Sequence, residues 1–257
     1  MQEIWIKNEQ NLKLKTFIYN GKKGIPAIIL CHGFSGNSSG TIAPYLSEKL
    51  SKDKLICRFD FSGQGQSEGK FYDSSITNEI TDLAKVIEFL KENYEPNKII
   101  LLGHSFGAVI AMLYAAQNPV DGLISVAGAG DLKKCIDLEF SEKNLNDFAE
   151  KGETEIINWS KKGELDLIGV QFLEEMKKYS TVEAAKEIVA PVLFLHGDKD
   201  DVVPLSATEE IYTLVKSPKE FKIIDGADHI FNCFKTKEKI DELIKYISEW
   251  MRSSIRA

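Results

Sequence analysis

Along this chain, runs that are apolar at nearly every position alternate with stretches whose apolar residues recur every three or four. Ala27-Ile-Ile-Leu-Cys31, Lys54-Leu-Ile-Cys-Arg-Phe59, Ile99-Ile-Leu-Leu102, Gly122-Leu-Ile-Ser-Val-Ala127, Pro191-Val-Leu-Phe-Leu195 and Glu220-Phe-Lys-Ile-Ile224 are of the first kind and read as short strands, most of them covered on both faces. Ile76, Ile80, Leu83, Ile87 and Leu90 lie along one helical face, and Ile240, Leu243, Ile244, Ile247 and Met251 do the same near the C-terminus. Ile42, Tyr45, Leu46 and Leu50 predict a further helix, Ala108 to Ala116 a small-residue helix packed close to the sheet, and Ser206-Ala-Thr-Glu209 the capping box of another. Leu12-Lys-Leu-Lys-Thr-Phe-Ile-Tyr19 alternates strictly and, with Glu3-Ile-Trp-Ile6, predicts an antiparallel hairpin at a sheet edge. Strands alternating with helices imply an α/β fold: a mostly parallel sheet, helices on both faces, and loops gathered at the strands' carboxyl ends.

Between Asp131 and about Glu187 the pattern changes to charged, helix-favouring sequence with scattered large apolar residues. This segment predicts an inserted cap of helices and loops over the carboxyl edge of the sheet. Phe148, Phe172 and Met176 can pack such a cap together. Trp159, in the charged, glycine-ended stretch Ile156-Ile-Asn-Trp-Ser-Lys-Lys-Gly163, reads as a loop aromatic able to stack on a planar substrate group.

Composition narrows the class. With 257 residues, 43% hydrophobic and 28% charged, the chain can bury one large core, so a single domain over residues 1–257 with an insertion at about 131–187 is expected. A formal net charge of -7, with no basic cluster interleaved with aromatics, argues against a nucleic-acid partner. Met1-Gln-Glu-Ile-Trp-Ile-Lys-Asn8 lacks a basic start followed by an apolar run, and no stretch of ~18 apolar residues is long enough to span a bilayer, so a cytoplasmic protein without a membrane span is expected. Cys31, Cys57, Cys135 and Cys233 have no C-x-x-C spacing and read as reduced core thiols. The loop Asp60-Phe-Ser-Gly-Gln-Gly-Gln-Ser-Glu-Gly69-Lys70 is glycine-rich, but it lacks the G-x-x-x-x-G-K-[ST] order of a phosphate cradle. No metal or cofactor is expected.

The candidate chemistry centres on Gly103-His104-Ser105-Phe106-Gly107. Placed between a strand and a helix, G-x-S-x-G holds its serine on a sharp, exposed corner, with the first helical N–H groups aimed at the space above it. A serine hydroxyl needs a base, and the base needs an acid to fix its tautomer. His104 adjoins the serine and should point away from it. His32 and His196 close strands, where they would bond neighbouring loops, whereas His229 follows the last strand in a loop free to reach across and is the expected base. Asp198, Asp200 and Asp201 all follow the preceding strand and qualify as the acid by position.

Taken together, Gly33 in His-Gly-Phe, the pentapeptide at Ser105, Gly197-x-x-Asp200-x-x-Val203-Pro204 and Gly226-Ala-Asp-His229 resemble the α/β-hydrolase superfamily over nearly the whole chain outside the insertion. More narrowly, His32-Gly-Phe-Ser-Gly36 and Phe59-Asp-Phe-Ser-Gly-Gln-Gly-Gln-Ser67 resemble the cinnamoyl/feruloyl esterase branch and its monoacylglycerol-lipase-like relatives. The resemblance implies Asp200 as the acid and an oxyanion hole from the backbone N–H groups of Phe34 and Phe106; Phe106 is also the residue that the elbow geometry nominates. The implied activity is hydrolysis of small carboxylic esters through an acyl-enzyme, possible substrates including hydroxycinnamoyl esters. Thioesterase, peptidase and acyltransferase chemistry would use the same parts. A non-catalytic binding protein on the same scaffold is the reading of another class, and it sits poorly with a full set of serine, histidine and aspartate.

Overall fold

The computed structural model describes residues 1–40 and 42–255. The N-terminal hairpin pairs β1 (Gln2–Lys7) antiparallel with β2 (Lys13–Tyr19). There follow β3 (Ala27–Cys31), α1 (Ala43–Leu50), β4 (Leu55–Phe59), α2 (Ile76–Tyr94), β5 (Ile99–His104), α3 (Phe106–Gln117) and β6 (Gly122–Val126). The chain then passes through α4 (Leu132–Glu139), α5 (Glu142–Lys151), β7 (Glu153–Asn158), β8 (Glu164–Gly169), α6 (Val170–Lys178) and α7 (Thr181–Glu187). It returns through β9 (Val192–Gly197), α8 (Leu205–Leu214), β10 (Lys219–Ile224) and α9 (Glu238–Ser254). The main sheet runs β1-β2-β4-β3-β5-β6-β9-β10 and is parallel from β4 to β10, with β2 antiparallel to β4. This is the α/β-hydrolase fold.

Successive side chains of a strand point to opposite faces, so each apolar strand feeds two cores. In β3, Ala27, Ile29 and Cys31 face one core while Ile28 and Leu30 face the other; in β5, Ile99 and Leu101 separate from Ile100 and Leu102 in the same way. Leu46 and Leu50 of α1 and Ile240, Leu243, Ile247 and Trp250 of α9 close the second core. The first is closed by α2, by α3, which is buried almost all round, and by side chains of the inserted segment. The α2 stripe is capped by Ser75, whose hydroxyl accepts the N–H of Asn78. Asp82, buried on that helix, accepts from the Asn8 amide at 2.7 Å and the Ser62 N–H at 2.7 Å, tying the β1–β2 turn and the loop after β4 to α2.

Two elements differ from those the sequence pattern predicts. The inserted segment is not only helices and loops: β7 and β8 form a separate antiparallel hairpin, with Ile157 opposite Leu165. Its turn holds Trp159 to Lys161 in a short 3-10 helix, followed by Lys162 at φ 59° and Gly163 at φ 83°. Nor is Ser206 a cap. Helix α8 begins at Leu205 behind Pro204, a residue whose fixed φ suits a helix start and which offers no side-chain hydrogen bond.

Phe148, Phe172 and Met176 are all buried, and they join the core beneath the insertion. Phe172 stacks on Phe34 at 4.6 Å between ring centroids and lies 5.4 Å from Phe106, so α6 is fastened to the loop after β3 and to the start of α3. The last helix of the segment, α7, lies against α3 and α8. Phe172→Ala is therefore expected to cost the whole protein about 3–5 kcal/mol of unfolding free energy, whereas Leu167→Ala on the exposed side of β8 should stay within about 0.5 kcal/mol. A denaturant titration checks this; a main unfolding transition unmoved by Phe172→Ala would mean that the insertion does not share the sheet's core.

Candidate active site

Ser105 is held in a strained corner. Between β5 and α3 it takes φ 55° and ψ −123°, outside the regions open to most L-residues and costing on the order of 1–3 kcal/mol. The turn is set by its surroundings. Its N–H donates to the Val126 carbonyl of the neighbouring strand at 2.9 Å, and its carbonyl accepts from Ala108 at 3.0 Å to start the helix. A Cβ on Gly107 would strike the carbonyl oxygens of Cys31 and His32, and one on Gly103 would strike the backbone of Ala108. The pentapeptide glycines are thus what lets α3 close onto the ends of β3 and β5.

That closure brings the loop after β3 beside the serine. A Cβ on Gly33 would lie 3.2 Å from the Ser105 Cβ. The loop is braced from several sides. His32 Nδ1 donates to the Gly33 carbonyl at 2.9 Å and its Nε2 accepts from the Phe61 N–H at 3.1 Å, which fixes one neutral tautomer; burial also pulls its pKa down. Asp60, buried, accepts from Ser38 N–H at 2.7 Å and Gln66 N–H at 2.8 Å, and so ties the loop after β3 to the glycine-rich loop after β4. From the insertion, Ser160 N–H donates to the Ser35 carbonyl at 2.6 Å.

Of the three positional candidates for an acid, one reaches His229. Asp200 Oδ2 accepts from His229 Nδ1 at 2.8 Å, and its Oδ1 accepts the Val202 and Val203 N–H groups at 2.9 and 2.8 Å. Burial would raise the Asp200 carboxyl, but hydrogen bonds from His196 and His229 outweigh it and hold the group well below the usual carboxylate range. Asp198 instead accepts from Gly226 N–H and pairs with Lys199, bracing the two loops together, and Asp201 is exposed. His104 packs against the loop that carries His229. It bonds the His229 carbonyl through Nε2 at 3.0 Å and packs ring against ring with His229 at 4.9 Å, while burial, with the His229 charge adding, brings its pKa down to about 3. Neither the Ser105 hydroxyl nor His229 Nε2 hydrogen-bonds to any described residue or to the other.

Ser105 and His229 line one open cavity of about 1100 Å³ that also reaches Gly33, Phe34, His104 and Trp159. Its inner wall is apolar, with Leu30, Ile42, Leu46 and Leu102, and Lys199, Asp201, Asp228 and Lys235 also line it. Sequence reasoning missed the apolar residues lining it from the surface. Leu138, Val202 and Phe234 are exposed there, Phe234 by 80%, as is Trp159 at 65%; Val202 and Phe234 lie in loops, which no periodicity marks, and Leu138 lies near the end of α4 off its buried face. A shallower groove of about 370 Å³ between β1 and α2 carries Lys85, Glu88 and Glu92 and no nucleophile. Among the described residues, no group of three or more His, Cys, Asp or Glu side chains is placed to hold a metal ion, and no helix is long and apolar enough to cross a membrane.

Residues 26–152 match the family described as the alpha/beta hydrolase fold, and residues 166–232 match the serine aminopeptidase S33 family. Putative esterase/lipase 2 of Mycoplasma genitalium is 30% identical over 243 residues, covering 86% of this chain and 89% of that protein. The chain belongs to the α/β-hydrolase superfamily. Within this family of hydrolases it is also 26% identical over 251 residues to the mitochondrial palmitoyl-protein thioesterase ABHD10 of Rattus norvegicus, across 92% of this chain and 81% of the other. Its fold matches Est1E from Butyrivibrio proteoclasticus, solved with ferulic acid bound, at a TM-score of 0.81 and 22% identity over 98% and 99% of the two chains.

The depressed Asp200 pKa links this site to acid stability. A carboxylate lowered by folding contributes stability that is present above its unfolded value of about 3.9 and is lost as pH falls through the lower folded value. Asp200→Asn is expected to flatten the stability profile between pH ~5 and the acid limit, as read by urea midpoints across that range. A profile as steep as the parent's would mean that the His229 and His196 contacts do not hold the carboxylate ionised.

Proposed function

We propose that the protein is a serine hydrolase of carboxylic esters and thioesters, with Ser105, His229 and Asp200 as its triad. One observation carries the reading: a serine held at positive φ shares a cavity with a histidine whose far nitrogen is engaged by a buried carboxylate at 2.8 Å. With Nδ1–H committed to Asp200, His229 presents a basic Nε2. Ser105 Oγ attacks the acyl carbon, its proton passes to Nε2, and Asp200 stabilises the imidazolium. The N–H groups of Phe34 and Phe106 take the oxyanion, both on backbone held rigid beside Ser105. Collapse expels the alcohol or thiol, protonated by His229; a water activated by the same nitrogen then hydrolyses the acyl-serine and releases the acid. The serine–histidine hydrogen bond, unmade here, forms as substrate fills the cavity.

The segment at about 131–187 acts as a cap within a single domain, supported by the stacking of its Phe172 on Phe34 and by Trp159 at the cavity rim. Thioesters join esters in the proposal because the rat relative bears a thioesterase name and the cavity, at about 1100 Å³, is slightly larger than the roughly 300–1,000 Å³ usual for ligand pockets.

Ser105→Ala and His229→Ala are expected to lower kcat by roughly 10⁴ to 10⁶, and Asp200→Asn by about 10⁴, while Asp198→Asn and Asp201→Asn lose far less. A fluorophosphonate probe should label Ser105 in the parent and not in His229→Ala. Labelling elsewhere, or activity surviving in Ser105→Ala, would reject the assignment. For the rim, Trp159→Ala should cut kcat/KM for hydroxycinnamoyl esters by more than about tenfold and for acetyl esters much less, at an unchanged unfolding midpoint. Equal losses on both substrates would remove Trp159 from acyl recognition.

A further inference from the structure

Asp200 has a second imidazole on it. His196, at the end of β9, and the Asp200 side chain are both fully buried, and His196 Nε2 lies 3.1 Å from Asp200 Oδ2, the oxygen that also takes His229 Nδ1. The same Nε2 lies 2.9 Å from the Val203 carbonyl. Both neighbours are acceptors, so Nε2 carries a proton. Nδ1 sits 2.8 Å from the Thr208 hydroxyl, which in turn is 3.0 Å from the Gly128 carbonyl, so the ring is anchored at its other end on α8 and on the loop after β6.

We propose that His196 is a positioning residue for the reaction: its Nε2–H, shared between Asp200 and Val203, holds the carboxylate in the plane that meets His229 and tempers its pull on the His229 proton. The inference rests on the triad reading and deepens it. A carboxylate stripped of one of its donors becomes a stronger acceptor toward the other. Losing the His196 contact therefore strengthens the hold of Asp200 on the His229 proton, moves the acid limb of kcat/KM to higher pH and, by loosening the carboxylate, lowers kcat with little change in KM. The other groups that face the pair are His104 on β5, neutral by burial, Glu139 at the end of α4, and Lys199, Asp201, Asp228 and Lys235 around the cavity. All of them stay in place in the variants below.

Two isosteric halves of the ring separate positioning from packing. His196→Gln places an amide donor where Nε2 was and keeps the contact with Asp200; His196→Asn places one where Nδ1 was, keeps Thr208 and loses Asp200. The expected result is an acid limb raised by about 0.5 pH unit or more and a kcat lowered about tenfold in His196→Asn, with His196→Gln close to the parent. A role in packing alone would lower the unfolding midpoint of both and move neither limb, and an unmoved or lowered limb in His196→Asn overturns the inference. Because His196→Asn can fail to fold, the parent protein supplies an independent reading: long-range ¹⁵N–¹H correlation of its histidines must find His196 protonated at Nε2, and an Nδ1-only tautomer overturns the inference as surely. The controls keep the two levels apart. Activity surviving in His229→Ala removes the triad itself, whereas dead controls with unshifted limbs remove only the role of His196.

Discussion

Close approach of one helix to two strand ends governs this structure. Where α3 begins, backbone meets backbone: Gly107 lies against the carbonyls of Cys31 and His32, and Gly103 against Ala108, at separations no side chain would permit. The serine between these glycines has no relaxed conformation available and sits at positive φ. The same approach puts Gly33 beside Ser105, so the loop after β3 and the Ser105 corner share one wall. Strain of order 1–3 kcal/mol is affordable because the two cores on either side of the sheet are filled by strands apolar at successive positions.

Polar groups around that wall are arranged as closed circuits. His32 joins Gly33 to Phe61, Asp60 joins Ser38 to Gln66, and Asp82 joins Ser62 to Asn8 on the far hairpin. Each of these three side chains bonds two segments at once, which offsets part of the cost of burying it and locks the loops that frame the cavity. The Asp200 carboxylate is the most heavily engaged of these, with two backbone N–H groups on one oxygen and two imidazoles at the other.

The main sheet was legible in the sequence because β3, β5, β6 and β9 are short runs apolar at successive positions, as strands covered on both faces are. The hairpin β7–β8 was not, because each of its faces mixes apolar and polar residues: Ile156 and Ile168 are buried, but so are polar side chains. Thr154 and Asn158 are buried while Ile157, Leu165 and Leu167 are exposed. Asn158 tolerates burial by donating to Asp166 and accepting from Ser160, a local arrangement that hydrophobicity does not report. At the candidate site, position along the chain singled out Ser105 and His229 but left three aspartates equivalent; the 2.8 Å contact of Asp200 with His229 distinguishes them. The role of His104 was illegible for the same reason as the rim residues: its partner is 125 positions away, and nothing local announces the meeting.

The hydrogen bond from Ser160 to the Ser35 carbonyl has a consequence for how such a protein changes over time or in the hands of an engineer. Insertions above a conserved sheet are the natural place to alter what a cavity admits, since loops accept changes of length and composition more readily than strands do. Here the hairpin tip that carries Trp159 also fastens the loop carrying Phe34, through a backbone amide that no side-chain substitution removes. Exposed side chains at the tip can therefore change in kind while that tie persists, whereas lengthening or shortening the hairpin shifts the tip and the loop after β3 together. The shape of the cavity mouth and the rigidity of its wall are inherited as one unit.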